Sequence, residues 1–410
     1  MPAKHLVLLS DNYPNSDGEF FLDDEIQLIA SKFETITVLC SSPNKGNRRE
    51  TPENVRVLDM PQMRSKQRFL FRIKGLFFLP LWQELFGLKK RYGIPTTFLI
   101  FKILLEDYVR ASHLIQELNK HQLTDPQEHV LYSYWHDYKA LAISILSKQK
   151  VIKSIARGHG WDLDYKRHKP QYLPYKNFMA KNLDLSISIS DFGKKMLEEM
   201  INPKLHSKII VSKLGKLNYR KPKQDKEDSN VYIICSCSSL IPLKRVHKII
   251  EFCAALGLEN LKWVHFGSGE LLQELQLLAK NVKVEAIFKG NTPNHEILDF
   301  YHNNYVDLFI NFSSSEGIPV SIMEAQSAGI PVLATAVGGT SEIVNNENGF
   351  LVEKEFNLKE VVTIIQKYLS STDEEKQRKR NLSYENWKQN YNAVTNYYEF
   401  VKLLLSAKGR

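Results

Sequence analysis

Residues 313–350 read SSSEGIPVSIMEAQSAGIPVLATAVGGTSEIVNNENGF and hold the densest set of chemically useful side chains in the 410-residue chain. Glu316 and Glu324 have seven residues between them, the first before a Gly-Ile-Pro turn and the second on a short helix that must stop at Gly329 and Pro331. An apolar strand over 331–335 then enters Gly338-Gly339-Thr340, which opens a further helix at Ser341. Two loop-to-helix junctions bring unpaired N–H groups and the positive ends of two helix dipoles together, an arrangement that suits a phosphate. A carboxylate one turn into a helix suits the hydroxyls of a ribose or a sugar.

The elements that position these groups read as two successive α/β series. In the first, strands are expected at His5–Ser10, Thr35–Cys40, Val55–Asp59, His129–Ser133, Val151–Ala156, Leu185–Ile189 and Ile209–Leu214. Tyr219 to Asn230, charged and without apolar period, reads as an interdomain linker. The second series has strands at Val231–Cys235, Lys262–Phe266, Glu285–Phe288, Leu308–Asn311 and Pro331–Thr335, and closes on a helix from about Tyr384 to Leu405 with Trp387, Tyr391 and Tyr398 along one side. The expected division is 1–218, 219–383 and the terminal helix segment 384–410, consistent with a length beyond which one core stops growing.

Composition excludes several classes. Hydrophobic residues at 43% and charged residues at 25% are those of an ordinary globular chain. The four cysteines form no metal pattern; Cys235 and Cys237 read as small buried hydrophobes beside a strand. The opening MPAKHLVLLSDNYP reads as a first strand rather than a signal peptide, and a cytosolic protein is expected. The sequon Asn311-Phe312-Ser313 falls in a strand expected to be buried. The net charge of +9 concentrates between Arg64 and Arg110, where basic residues alternate with aromatics. No RNP-like or zinc motif accompanies it, so nucleic acid is not expected as a partner. The segment Phe69 to Leu88 is too interrupted to span a bilayer. Two readings stand: helices lying on an anionic membrane interface, or core helices with solvated lysines.

The ordered block Glu, Gly-Ile-Pro, Glu-Ala, Gly-Ile-Pro-Val, Gly-Gly, Glu-Ile-Val, Asn-Gly resembles the donor-site signature of the retaining family 4 glycosyltransferases. The resemblance implies a GT-B fold: two Rossmann-like domains with parallel sheets facing a cleft, and a last helix crossing back to the N-terminal domain. It implies transfer of a sugar from a nucleotide-sugar, UDP- or GDP-linked, to a hydroxyl of a saccharide or lipid-linked saccharide, with retention of configuration. Glu324 would hold the ribose. Glu316, with Gly317 and Ile318, would lie by the donor sugar, where a carboxylate can hold a hydroxyl or stabilise positive charge. Val320 and Ser321 would meet the phosphates. Ser238-Ser239-Leu240-Ile241-Pro242-Leu243-Lys244-Arg245 resembles the phosphate-clamping segment of the family. Lys244 matches its lysine, Ser239 stands in place of its arginine, and Arg245 is offered as the substitute cation. Gly267, with Gly269, resembles a turn lining the donor site, and Phe288 and Gly290 the segment beside the base. Gly18 and Glu19 resemble the N-terminal glycine loop, and His159 a histidine near the transferred sugar. Asp162 is expected to orient His159 or meet the acceptor, with His136 and Asp137 as further acceptor-side candidates. Asp162-Leu163-Asp164 invites a metal reading, but cations and helix dipoles can replace the ion, so no cofactor and no essential metal are expected. An epimerase or a phosphorylase on the same fold is the alternative.

Overall fold

The computed structural model describes residues 5–15, 18–44, 46, 48–218, 220–223, 225–226 and 231–406. The chain forms two compact units, one of residues 1–214 with 393–410, the other of residues 215–392.

The first unit is an α/β layer structure built on β1 (His5–Ser10), α1 (Phe21–Ile29), β2 (Thr35–Cys40), β3 (Val55–Asp59), α2 (Ser65–Leu76), α3 (Leu79–Tyr92), α4 (Phe98–Lys120), β4 (His129–Ser133), α5 (Tyr138–Lys150), β5 (Lys153–Gly158), α6 (Lys176–Asn182), β6 (Leu185–Ser188), α7 (Asp191–Met200) and β7 (Ile209–Val211). Its seven strands are all parallel, in the order β3-β2-β1-β4-β5-β6-β7. β1 and β4 are apolar and buried on both faces because helices cover both sides of such a sheet. β5 starts two residues later than the sequence suggests. Val151 takes the left-handed position (φ +51°) that ends α5, so the strand cannot begin there.

The second unit comprises β8 (Tyr232–Cys237), α8 (Val246–Leu256), β9 (Leu261–Phe266), α9 (Leu272–Asn281), β10 (Glu285–Phe288), α10 (Asn294–Asn303), β11 (Leu308–Asn311), α11 (Val320–Ser327), β12 (Val332–Thr335), α12 (Thr340–Ile343), β13 (Gly349–Val352), α13 (Leu358–Leu369) and α14 (Asp373–Asn390). Its six parallel strands run β10-β9-β8-β11-β12-β13. Trp263, Phe252, Ile310 and Ile365 anchor its core. Asn311 of the sequon is buried in β11 as expected. In both sheets strand order reverses beside the first strand, between β1 and β4 and between β8 and β11, where open α/β sheets place ligands at the carboxyl ends.

The single terminal helix expected from Tyr384 onward is in fact two. α14 stops at Asn390, and Tyr391 (φ −132°, ψ 18°) breaks the helical path before α15 (Ala393–Ser406). Trp387 and Tyr391 belong to the second unit, donating to Lys216 O and Glu342 O, whereas α15 belongs to the first. α15 buries Tyr397, Phe400, Val401 and Leu404, an i, i+3, i+4, i+7 stripe, and leaves Tyr398 exposed. The linker expected at Tyr219 to Asn230 lies partly outside the described residues. The unit boundaries fall at 214/215 and 392/393 rather than 218/219 and 383/384.

Candidate active site

In the second unit, β8 and β11 end side by side, and the loops that follow them carry the first constellation. Pro242–Lys244 is one 3-10 turn after β8, and it presents the Lys244 ammonium to Glu316. Lys244 Nζ lies 2.6 Å from Glu316 Oε1. Ser313 Oγ donates to the same oxygen at 2.6 Å and Asn311 Nδ2 at 3.4 Å. Ser314 N donates to Leu243 O at 2.8 Å and fastens the two loops together. Gly338 (φ +55°) backs onto this loop so closely that a Cβ there would meet Glu316 O at 1.8 Å; no other residue fits. Gly339 N donates to Gly317 O at 2.8 Å, which ties the second glycine turn to the first.

Glu324 is buried on α11 and accepts from Asn294 Nδ2 at 2.6 Å, with Lys216 Nζ 3.9 Å away. α11 begins after Pro319 without a side-chain cap, so the N–H groups at Val320 and Ser321 open the helix with its positive end. Ile318 is buried beneath that turn. The Gly267 turn (φ +125°) packs on the loop after β8; a Cβ would lie 2.0 Å from Ser238 O. Gly267 N donates to Gly290 O at 2.8 Å, and Gly290 has φ +68°, so this turn and the one after Phe288 are one construction. Ser239 is exposed at the tip of its loop.

Arg245 corrects an expectation. It occupies a left-handed position (φ +46°) between the 3-10 turn and α8, and its buried side chain turns toward β11. Nε donates to Phe312 O at 2.7 Å and Nη1 pairs with Glu355 at 3.1 Å. These contacts make it a brace for the loop, while Lys244 faces the Glu316 carboxylate.

The first unit carries a second constellation at the ends of β1, β4 and β5. Here Glu19 has a role other than the expected one, while Asp162 and His136 line a pocket of this unit and also brace its loops. The Glu19 carboxylate accepts from Asp11 N (3.0 Å), Asn12 N (2.7 Å), Tyr13 N (2.7 Å) and the Trp135 indole N–H. It clamps the loop after β1 and is not held out for a ligand; its neighbour Gly18 (φ +107°) accepts from Arg49. Asp162 accepts from His136 N (2.7 Å), His159 N (2.8 Å) and Gly160 N (3.1 Å), so it joins the ends of β4 and β5 through backbone rather than orienting the His159 ring. Burial alone would raise its pKa, but the neighbouring His159 and Lys176 and these N–H groups hold it below the usual carboxylate range. The His136 ring is fully buried between Ser186 Oγ (3.0 Å) and Lys176 Nζ (3.3 Å) and supports the loop from inside.

His159 lies at the end of β5 with its ring 4.2 Å from that of Tyr134 and 4.8 Å from that of Trp135. Both ring nitrogens are buried without a hydrogen-bond partner. Burial pushes His159 and His136 down to about 3. Both rings therefore stay neutral in the folded unit, whereas in an unfolded chain they protonate near pH 6.5. The unfolded state binds the extra protons, so stability is present above pH 6.5 and is lost as pH falls. The urea midpoint of the first unit should drop between pH 6.5 and 5 by up to about 1.4 kcal/mol per pH unit for each ring, and less steeply in His159→Phe. A midpoint flat over that interval would refute the assignment.

Sequence reasoning missed several groups around this constellation. Lys139, fully buried, pairs with Asp11 (2.8 Å) and Asp137 (2.6 Å). Asp107 on α4 is pushed up to about 7 by burial and by Asp137, against Arg110. Burial takes Lys176 down to about 8. Asp11 carries a local signal, directly following a buried strand, and Asp137 is already among the acceptor-side candidates. Asp107 and Arg110 sit in a helix whose pattern reads only as basic surface, and Lys176 has no local mark.

Residues 218–385 match the family described as Glycosyl transferases group 1, and that stretch is a domain of this family. An Escherichia coli K12 protein named as a colanic acid biosynthesis glycosyltransferase, WcaL, is 29% identical over 204 residues, 47% of this chain and 50% of WcaL. The chain thus spans about half the length of that relative. The O-antigen biosynthesis glycosyltransferase WbnH of Escherichia coli is 27% identical over 281 residues, 68% of this chain and 72% of WbnH. Among solved structures, Anabaena HepE in complex with UDP and glucose superposes with a TM-score of 0.67 at 14% identity, covering 98% of this chain and 99% of HepE. The fold is that of the GT-B glycosyltransferases.

Proposed function

We propose that this chain is a retaining glycosyltransferase that moves a sugar from a nucleotide-sugar, UDP- or GDP-linked, to a hydroxyl of a saccharide or lipid-linked saccharide in cell-surface polysaccharide synthesis. The observation that carries this reading is the Lys244–Glu316 pair, held at the switch point of a group 1 domain beside the capless start of α11. Glycosyl transfer breaks the bond between the anomeric carbon and a diphosphate oxygen, leaving negative charge on the diphosphate and positive charge on the sugar. Lys244 and the N–H groups of Val320 and Ser321 would receive the first, and the Glu316 carboxylate lies where it can balance the second or hold a sugar hydroxyl. The acceptor oxygen forms the new bond on the same face, and its proton passes to the departing phosphate oxygen. In this reading lysine and helix N–H groups do the work of a metal, and no cofactor is required. HepE, solved with UDP and glucose, supports a uridine donor.

The test is thermal shift against UDP-, GDP- and ADP-sugars, followed by donor hydrolysis, since stabilisation grows with the logarithm of ligand over Kd. Glu324→Ala should weaken the best donor about tenfold or more, because a carboxylate holding two ribose hydroxyls contributes charge-assisted hydrogen bonds. Unchanged donor affinity in this variant would remove Glu324 from the donor site.

We also propose that α2, α3 and the start of α4 rest on the inner face of an anionic membrane. No helix among the described residues is long and apolar enough to cross one. Phe77 (83%), Phe86 (74%) and Phe98 (74%) are the most exposed of a series of large apolar residues there, interspersed with Arg72, Lys74, Lys89 and Lys90. Charge reversal at those four positions should abolish flotation with phosphatidylglycerol vesicles. Partitioning equal to wild type would exclude the seating.

A further inference from the structure

The donor constellation of the second unit is short of positive charge. Among the groups assigned to it, Lys244 is the one cation and Glu316 and Glu324 are two carboxylates, so the set is formally negative. A nucleotide-sugar brings a negatively charged diphosphate of its own, and like charges at close range repel. Arg245 does not make up the difference, because its guanidinium is engaged by Phe312 O and Glu355. Glu324 and Lys244 border one spot, at Cys237, the last residue of β8. Burial pushes that thiol up, Glu324 raises it further and Lys244 lowers it.

A further cation stands beside Glu324. Lys216 belongs to the second unit, is buried, and holds its ammonium 3.9 Å from Glu324 Oε1. Its place is set by the backbone. Lys216 N donates to Tyr391 O at 2.9 Å, and its carbonyl accepts from the Trp387 indole at 3.2 Å. Two residues on, Asn218 Nδ2 donates to Ser327 O at 2.6 Å. The segment is thereby fastened to the end of α14 and to the C-terminal end of α11, and the Lys216 side chain reaches Glu324 in between.

The separation argues for a role beyond neutralising Glu324. Where Lys139, Lys226 and Lys244 close on carboxylates, the distances are 2.6 or 2.8 Å. Here Asn294 Nδ2 takes the hydrogen-bonding position on Oε1 at 2.6 Å, and the Lys216 ammonium stands off it. Placement along α11 points the same way. Glu324 is four residues from Val320, so it lies about 6 Å along the axis from the helix start. A nucleotide with its ribose on Glu324 and its diphosphate at that start runs its α-phosphate between the two. Lys216, beside Glu324, is at the ribose end of this path, and Lys244, beside Glu316, is at the sugar end.

We infer that Lys216 is the second cation of the donor site and holds the nucleotide's α-phosphate, next to the ribose on Glu324. The inference rests on the transferase reading and adds a residue to its donor site. The charge that grows as the glycosidic bond breaks appears on a β-phosphate oxygen, whereas the α-phosphate carries the same charge before and during transfer. Lys216 therefore binds the ground state and the transition state alike, which lowers KM without raising kcat. Lys244, by contrast, acts on the leaving oxygen.

The test is calorimetric binding of uridine, UMP and UDP, with guanosine, GMP and GDP alongside, to the full chain and to Lys216→Met. The variant should bind the mono- and diphosphate of the preferred base about tenfold more weakly and its nucleoside within about twofold of wild type, since one charge-assisted hydrogen bond is lost. In turnover, KM for the nucleotide-sugar should rise about tenfold while kcat stays within about threefold. Lys216→Arg keeps the charge and should recover part of the loss. Glu324→Gln with and without Lys216→Met repeats the comparison where no buried carboxylate needs a counterion, so folding does not depend on the lysine. The same weakening of diphosphate against nucleoside is expected within that pair. Equal weakening of nucleoside and nucleotide would make Lys216 a counterion of Glu324 and nothing more. That result, unchanged binding throughout, or a loss in kcat rather than KM would each overturn the inference and leave the transferase reading standing. A wild-type chain that binds neither UDP nor GDP would overturn both.

Discussion

Lys244→Ala is expected to lower kcat about 10²-fold or more while changing nucleotide-sugar affinity far less. The reason is the direction of charge flow. In the ground state the ammonium lies 2.6 Å from Glu316, already partly neutralised, and a bound diphosphate ester gains only a share of it. As the glycosidic bond breaks, negative charge grows on the departing phosphate, and a preorganised cation in a half-closed site stabilises that growth by a few kcal/mol. The loss should therefore appear in kcat and kcat/KM together rather than in KM alone. Folding should survive, because Ser313 and Asn311 still donate to the Glu316 carboxylate. Lys244→Arg keeps the charge but not its compact geometry and should recover part of the rate. Wild-type turnover in Lys244→Ala would end the assignment of this residue to the leaving group.

The largest stability effect is expected from Glu25→Ala. Glu25 and Arg157 are both fully buried and 2.6 Å apart. Tyr132 donates to Glu25 at 3.0 Å, and Arg157 donates to Ser212 O at 3.1 Å. The ring of Phe400 lies under the guanidinium at 4.1 Å. One ion pair thus joins α1, β4, β5, the segment after β7 and α15 inside the first unit. Removing one partner leaves a charge in the core without a counterion, which costs about 3–5 kcal/mol. Replacing both, as Glu25→Leu with Arg157→Met, substitutes apolar packing for the pair and should recover most of that loss. Urea unfolding of the wild type, Glu25→Leu, Arg157→Met and the double variant at pH 7.5 measures the cycle. A Glu25→Ala midpoint equivalent to less than about 1 kcal/mol would show that water reaches the pair.

Most of the fold is legible in the sequence. Twelve strand positions stand out by their apolar runs, and all twelve lie on observed strands, with ends that differ by at most three residues. β13 escaped because Gly349–Val352 is short and directly follows the Asn-Glu-Asn turn. The break at Tyr391 escaped because nothing in Asn390-Tyr391-Asn392 forbids a helix; tertiary contacts impose it, with Trp387 and Tyr391 held in one unit and α15 packed in the other. The candidate donor constellation was legible as a list of residues, since glycine turns and helix starts are local features.

The sequence by itself therefore determined the two α/β series, the glycine turns that force particular backbone paths, and the presence of Glu316, Glu324 and Lys244 at loop ends. Only the tertiary structure decided what each polar side chain faces. Lys244 meets Glu316 across 72 residues because β8 and β11 are neighbours in the sheet. Arg245, one position later, turns to Phe312 and Glu355 instead. Glu19, which looks like a site carboxylate, is closed by backbone N–H groups from a loop brought beside it; Asp162 is clamped in the same way yet lines the pocket into which Asp107, which looks like helix surface, also opens. The physical reason is common to all of these. A backbone conformation is chosen by near neighbours in the chain, but a hydrogen-bond or ion-pair partner is chosen by strand order and helix docking, which few local signals encode.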